Sequence, residues 1–425
     1  MLSKKALFSA MMVMLAATAG AQISTNSPYT RFGLGDLSNQ ASAASAAMGG
    51  IGYGLRDKTM INTMNPASYT EVDSLTFKFD IGMSFLNQNY KEDGWKSNAK
   101  NSTFDYAVMQ FRIKPWIAFV AGFLPYSNVG YYFYSTAEVE GNDDVTSTNA
   151  FSGEGGLHQF FFGLGIKVFK NLSIGFNAGY LYGDIDYTST TSFDVSSDYS
   201  VVFNNITINT YKLDFGLQYT QPINKKDNIT LGLVYGLGHI ANSTEMKGIQ
   251  LTDGSTYANS EGTIHHDLYE IPHSFGVGLT YNHSNNLTVG VDYSLEKWSD
   301  VIYNEEEGWY NDKKRISAGV EFMPSNYSKK YLTHIRYRAG LYYQTPYLKV
   351  PYGSSAVLKD GPKEFGVSVG LGFPIFLFQR STVLNITGQY IHFKSSLPDL
   401  LSENRFVLKL GLTFNEHWFM KWKVN

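Results

Sequence analysis

The side chains grouped closely enough to suggest chemistry are few. His265 and His266 are adjacent with His273 beyond, Glu305, Glu306 and Glu307 form an acidic triplet, and Asp143 and Asp144 a pair. A histidine pair suggests a metal, but neighbours in a strand point to opposite faces, which makes a poor chelate. The acids suit either Ca²⁺ and lipopolysaccharide counter-ions or ordinary solvated loops. Ser, His, Asp and Glu all occur, yet no nucleophile elbow or other local signature marks a catalytic triad. The expectation is therefore no enzyme, no metal site and no cofactor. The chain contains no Cys, which removes disulfides and thiolate metal sites together. A net charge of −3 gives no basic patch for nucleic acid.

What repeats instead is a strand rhythm. In Leu287–Leu295 the residues Leu287, Val289, Val291, Tyr293 and Leu295 share one face, while Thr288, Gly290, Asp292 and Ser294 share the other. About fourteen such segments follow one another, near 75–86, 104–114, 117–136, 156–168, 172–190, 207–222 and 229–242, then 266–282, 287–298, 314–324, 334–345, 364–377, 382–394 and 405–415. Connections alternate between short turns, such as Pro115-Trp116 and Lys170-Asn171, and longer polar stretches at 87–103, 137–155, 191–206, 243–265, 299–313, 346–363 and 395–404. Transmembrane barrels put short turns at the periplasm and long loops outside, and an even strand count returns both ends to one side. The fold class expected is all-β, a transmembrane antiparallel β-barrel of about fourteen strands. Its 30 Tyr, 29 Phe and 40 Gly suit aromatic girdles and curved strands.

Lys4 and Lys5, the apolar stretch Ala6–Ala17 and Ala19-Gly20-Ala21 read as a signal peptide over 1–21, cleaved after Ala21. Outer-membrane localisation follows from export combined with a barrel. Residues 22–72, rich in Gly, Ala, Ser and Asn, do not fit the strand pattern. They are expected to form a plug, because a lumen of about fourteen strands left empty would conduct water and small solutes. The barrel is assigned to 73–415, and 416–425 to an interfacial tail in which Trp418, Phe419 and Trp422 sit beside Lys421 and Lys423. Lys409, Gly411 and Phe414 fit the order of a barrel-assembly signal.

Ser45–Gly54 (Ser-Ala-Ala-Met-Gly-Gly-Ile-Gly-Tyr-Gly), then Asp57, then Asn62–Ala67 resemble the N-terminal hatch of the long-chain fatty-acid transporter (FadL-type) family. Met48, Gly49, Gly50, Asp57, Asn65, Pro66 and Ala67 carry the match. Gly122–Ser127 resembles that family's third-strand region, with its proline-containing irregularity. The opening Ser27–Asp36 looks like the mature start of Bacteroidota-type members and departs from the proteobacterial transporters. The resemblance implies a barrel closed by a hatch, passive uptake of hydrophobic compounds (long-chain fatty acids or similar lipophiles), and lateral release at a kinked strand. Pro125, Tyr126 and Gly130 are the kink and gate residues it implies.

Taken on their own residues, Asn65-Pro66 is equally a turn into the first strand. Pro125 marks either a kink or an early strand end. Tyr131, Tyr132, Phe133 and Tyr134 line an apolar passage or belong to a girdle. The alternative function is a shuttle barrel like PorV of type IX secretion, binding an exported protein. Expected partners are a hydrophobic small molecule, outer-membrane lipids and lipopolysaccharide, and the barrel-assembly machinery during insertion, with the chain itself a monomer.

Overall fold

The computed structural model describes residues 25–74, 76–92, 95–139, 141–196, 198–252, 257–259, 263–302, 308–325, 328–352, 357–377, 380–395, 397 and 401–417. The expected signal peptide, Glu305–Glu307 and the expected interfacial tail from Trp418 onward lie outside them.

Fourteen strands close on themselves. They are β1 (Thr76–Glu92), β2 (Trp95–Lys114), β3 in two pieces (Ile117–Pro125 and Ser127–Val139), β4 (Asn142–Lys167), β5 (Leu172–Phe193), β6 (Tyr199–Pro222) and β7 (Asp227–Gly236). The circuit continues through β8 (Ser274–His283), β9 (Leu287–Glu296), β10 (Lys313–Phe322), β11 (Arg336–Gln344), β12 (Lys363–Leu377), β13 (Arg380–Lys394) and β14 (Ser402–His417). Each pairs antiparallel with the next, and β14 pairs with β1 from Thr76↔His417 to Lys91↔Ser402. Closure makes β1 and β14 each other's neighbour, so neither is left as an open sheet edge, the condition for strands to survive in lipid. The described residues contain no helix long and apolar enough to cross a membrane.

The alternation seen in the sequence is the wall's two faces. On β9, Val289, Val291 and Tyr293 are exposed outward, whereas Thr288 and Asp292 are buried inward. β14 runs two residues beyond the expected end, with His417 opposite Thr76.

Four expected loops are largely sheet. β1 and β2 run past the predicted end of the first strand to meet at Glu92↔Trp95. β4 spans 26 residues, β5 22 and β6 24. Ser243–Thr252 extends the β7 position alongside β6, and Thr263–His266 pairs with it in turn. A span needs about 9–11 residues, and β8, β9 and β10 have 10 each. The remainder of β4–β6 therefore stands above the span as a wall on one side. Its Ser, Thr and Asn residues read as loop because polarity on both faces hides the period-two signal, while the backbone ladder continues regardless of side chain.

Candidate functional site

Residues 25–72 lie inside the barrel as two unlike parts. The inner body, 41–72, holds a short helix (Ala43–Ala46), Ser42 capping it by accepting the Ser45 N–H at 3.3 Å. Its backbone is tied to side chains from around the wall. Thr387 donates to the Ala43 carbonyl at 2.7 Å, and Gln389 to the Ala46 carbonyl at 3.0 Å. Asp292 on β9 accepts both the Gly52 and Tyr53 N–H groups, at 2.6 and 2.8 Å.

The residues singled out in the sequence touch separate sectors of this wall. Met48 is buried against β10 and β11, where a β-carbon at Gly340 would lie 2.0 Å from the Gly49 nitrogen. Gly49 and Gly50 have φ of +72° and +80°, a conformation that favours glycine, and a β-carbon on Gly49 would meet the Leu341 carbonyl at 2.6 Å. Asp57 accepts from Arg336 at 2.6 Å, and Arg336 and Arg338 share Glu321, each at 2.7 Å. Burial pushes the Asp57 carboxyl up, but Arg336, the Thr59 N–H and hydroxyl, and Arg338 together bring it down to about 2. Asn65 caps a 3₁₀ turn (Pro66–Thr70) by accepting the Ala67 N–H at 3.0 Å. It also donates to the Tyr53 carbonyl at 2.8 Å and the Leu217 carbonyl at 3.3 Å. Asn65-Pro66-Ala67 is thus more than a turn into β1: it presses on β5 and β6, with Pro66 against Gly175 and Gly216.

The outer strap, 25–40, meets the break in β3. Below Pro125 the strand pairs with both neighbours, β2 and β4. Above it, the Ser127–Val139 piece pairs with β4, and among the described residues β2 before Ala107 pairs with β1 alone. A slit therefore separates the upper parts of β2 and β3. Pro125 accordingly marks an interruption, with the strand resuming at Ser127 after the single residue Tyr126.

The strap fills the lower slit edge. Asp36 and Leu37 pair antiparallel with Asn128 and Ser127, and Ser38 donates its N–H to the Tyr126 carbonyl at 2.9 Å. At Gly130, the Thr30 hydroxyl accepts the N–H at 3.2 Å and lies 3.3 Å from the carbonyl, standing in for a neighbouring backbone. Opposite the break, Gly155 and Gly156 have φ of +109° and +144°, and a β-carbon on Gly156 would sit 2.4 Å from the Ser127 carbonyl. The aromatic run divides by alternation. Tyr131 and Phe133 join an apolar cluster inside, while Tyr132 and Tyr134 are 73% and 67% exposed.

That cluster includes Leu34, Val129, Leu157, Leu181, Ile185, Ile206, Ile208, Tyr269, Ile271, Trp298 and Tyr347, all buried, with Tyr126 and Leu37 packed against it. Beside it a cavity of about 300 Å³ is lined by a charged set that includes Asp36, Lys212, Asp214, Glu296, Arg315 and Arg405. Asp36 pairs with Arg405, which also holds Glu403. His265 and His266 lie opposite Glu245 and Thr244 in the register, hence on opposite faces. The sequence reading missed Leu34, Thr30, Asp36 and Arg405. Gly33-Leu34-Gly35, a lone leucine between two glycines, was the available signal.

A family model described as BamG matches residues 1–425. No curated protein matches the chain in sequence. Among solved structures, the Ralstonia pickettii toluene transporter TbuX aligns with a TM-score of 0.62 at 15% identity, over 88% of this chain and 98% of that one. The Pseudomonas putida toluene transporter TodX gives 0.61 at 12%, over 90% and 100%. A Pseudomonas aeruginosa FadL homologue gives 0.59 at 12%, over 88% and 98%. At such identities the likeness speaks for the fold.

Proposed function

The chain belongs to the BamG family and folds as a FadL-type barrel, and we propose that it is an outer-membrane channel for passive uptake of hydrophobic compounds. In this reading residues 22–72 act as the hatch, with Met48-Gly49-Gly50, Asp57 and Asn65-Pro66-Ala67 as its seating points. Pro125, Tyr126 and Gly130 frame the lateral exit. The observation that carries the reading is the pairing of an apolar cluster inside the mouth with a slit in the wall beside it. An apolar solute gains about 0.8 kcal/mol per CH₂ kept from water, whereas the charged cavity beyond opposes passage straight through. Moving sideways into the membrane is downhill and needs no energy source. The toluene transporters of the same fold lend support to a hydrophobic solute.

The test is native mass spectrometry with lipid extraction on protein taken from its own membrane. A stoichiometric apolar small molecule, lost when Asn65 and Pro66 are both replaced by Ala, is expected. An empty barrel that retains another protein instead sinks the channel reading. It would favour a second one, in which the barrel serves as a protein-binding partner. The family description BamG points that second reading to the barrel-assembly machinery as the partner, beside the exported protein of a PorV-like shuttle.

A further inference from the structure

Above its aromatic girdle the outside of the barrel is charged unevenly. On β12, β13 and β14 the alternation turns Phe365, Tyr390 and Phe406 outward, and all three are exposed. Beyond them the outward positions carry Lys363 and Lys394, and those of the β1–β2 hairpin carry Lys91, Lys96 and Lys100, again all exposed. Lys363 stands opposite Lys394 in the register, and Lys91 opposite Lys96. Like charges directly opposite weaken a sheet, and none of the five has an ion-pair partner among the described residues. Glu364 and Glu403, on alternate positions of β12 and β14, point inward. On β4 and β5 the outward positions above the exposed Tyr180 and Tyr182 are instead acidic, Glu154, Asp184 and Asp186.

Directly below the lysines the lipid-facing wall holds an apolar groove of about 800 Å³, with Lys100 at its rim. Its floor is Gly388, where a β-carbon would meet nothing within 4 Å. The register neighbours of Gly388, Val369 and Leu408, stand out on either side, and Phe85, Val367, Tyr390 and Phe406 complete the groove. We propose that groove and lysines together bind one phosphorylated, multiply acylated glycolipid of the lipid A type. An acyl chain lies in the notch over Gly388 and gains contacts on three sides, where a smooth wall offers one. Phosphate oxygens accept hydrogen bonds from the lysine ammonium groups and relieve the repulsion within each facing pair. The groove opens away from the short Leu377–Arg380 turn, on the side where β4–β6 stand above the span. Its occupant therefore comes from the outer leaflet, whose anionic lipid is lipid A. Four strand spacings separate β12 from β2, which sets Lys363 and Lys100 about 19 Å apart, broad for a glycerophospholipid with one phosphate and two chains. The site stands whether or not the barrel passes a solute.

The test is native mass spectrometry of the full barrel, stripped of lipid in a neutral detergent and titrated with purified lipid A, phosphatidylglycerol or phosphatidylcholine. One lipid A per barrel is expected, half-occupied at about tenfold lower concentration than phosphatidylglycerol. Lipid A freed of phosphate should bind no better than phosphatidylcholine. Replacing Lys363 and Lys394 together by Gln should raise the half-occupancy concentration about tenfold. Gly388→Leu fills the notch with every charge intact and should raise it about fivefold. Lys314→Gln, which removes an exposed lysine of β10 outside the patch, should leave it unchanged. If the Lys363 and Lys394 variant loses heat-modifiable gel mobility, the pair Lys91→Gln and Lys96→Gln takes its place on the same scale. Phosphatidylglycerol held as tightly as lipid A overturns the proposal. So does lipid A binding that neither the lysine pair nor Gly388→Leu weakens, which would leave the lysines as ordinary contacts with an anionic surface.

Discussion

The two parts of the N-terminal segment are held by different physics. The inner body is anchored all round. Its carbonyls and N–H groups meet Thr387, Gln389, Ser368, Arg315, Asp292 and Gln218 on strands spread about the barrel. The outer strap is held at the mouth, through two strand pairs, the Asp36–Arg405 ion pair, one inserted leucine and side-chain hydrogen bonds such as Ser27 to Glu403 and Tyr187 to the Gly33 carbonyl. Releasing the body would strand many buried polar groups at once, each costing about 1–3 kcal/mol. Releasing the strap frees one buried leucine, one ion pair and a set of hydrogen bonds at the mouth. The difference teaches where movement is cheap: the strap is the part that local opening reaches first.

The largest expected effect comes from forcing the body off its wall. Gly340→Ala places a methyl group 2.0 Å from the Gly49 nitrogen, against backbone that has no rotamer to escape into. Planar-bilayer recording should then show an open-pore conductance that the parent lacks; an equally closed variant would mean that the body does not seal the lumen.

Next, Asp292→Ala leaves the Gly52 and Tyr53 N–H groups buried without their acceptor. Charge-assisted bonds of this kind predict a loss of about 3–5 kcal/mol. Limited proteolysis within 41–72 against urea concentration measures it, and an unchanged midpoint refutes the assigned anchoring.

The Asp57–Arg336 contact predicts an acid response of about 2 kcal/mol. The folded-state value near 2 lies below the ordinary 3.8. The stabilisation is therefore complete above about pH 4 and is lost as pH falls through 2. Protease susceptibility of the body should rise in that window and become flat there in Asp57→Asn.

On the strap, Asp36→Asn keeps the strand pairing and loses the ion pair with Arg405. Maleimide labelling at Leu37→Cys should quicken about tenfold while the barrel's heat-modifiable mobility stays put. If mobility shifts instead, strap and barrel are one cooperative unit and the contrast drawn above fails. Smallest of all, the Lys58–Asp73 pair is more than half exposed on both sides. Lys58→Ala should change stability by no more than about 0.5 kcal/mol, read from the same urea midpoint.

Much of the barrel was legible in the chain. Period-two alternation over Leu287–Leu295 and its relatives fixes which side chains face out, since successive Cβ atoms must alternate. The spacing of turns sets strand number and closure. The Met48-Gly49-Gly50 stretch was visible by residue type, because two adjacent glycines imply backbone that turns or comes close. What the pattern lost were the upper reaches of β4–β6, where Ser147–Asn149 and Thr188–Thr191 are polar on both faces yet paired. Sheet pairing there depends on a ladder begun lower down, and no local residue announces it.

Contacts between distant positions lay beyond the sequence altogether. That Asp57 would face Arg336, or Asp292 the Gly52 N–H, requires knowing where the body sits in a closed ring. The same holds for Leu34, whose type promises burial somewhere and whose neighbours from β3–β6 are chosen only by the curvature of the wall. Alternation and turn spacing are local properties of a chain, so the sequence alone determines a barrel of fourteen strands with an odd N-terminal segment. Which sector that segment seals and which slit it leaves covered are settled by closure, when strands far apart in the chain become neighbours across one lumen.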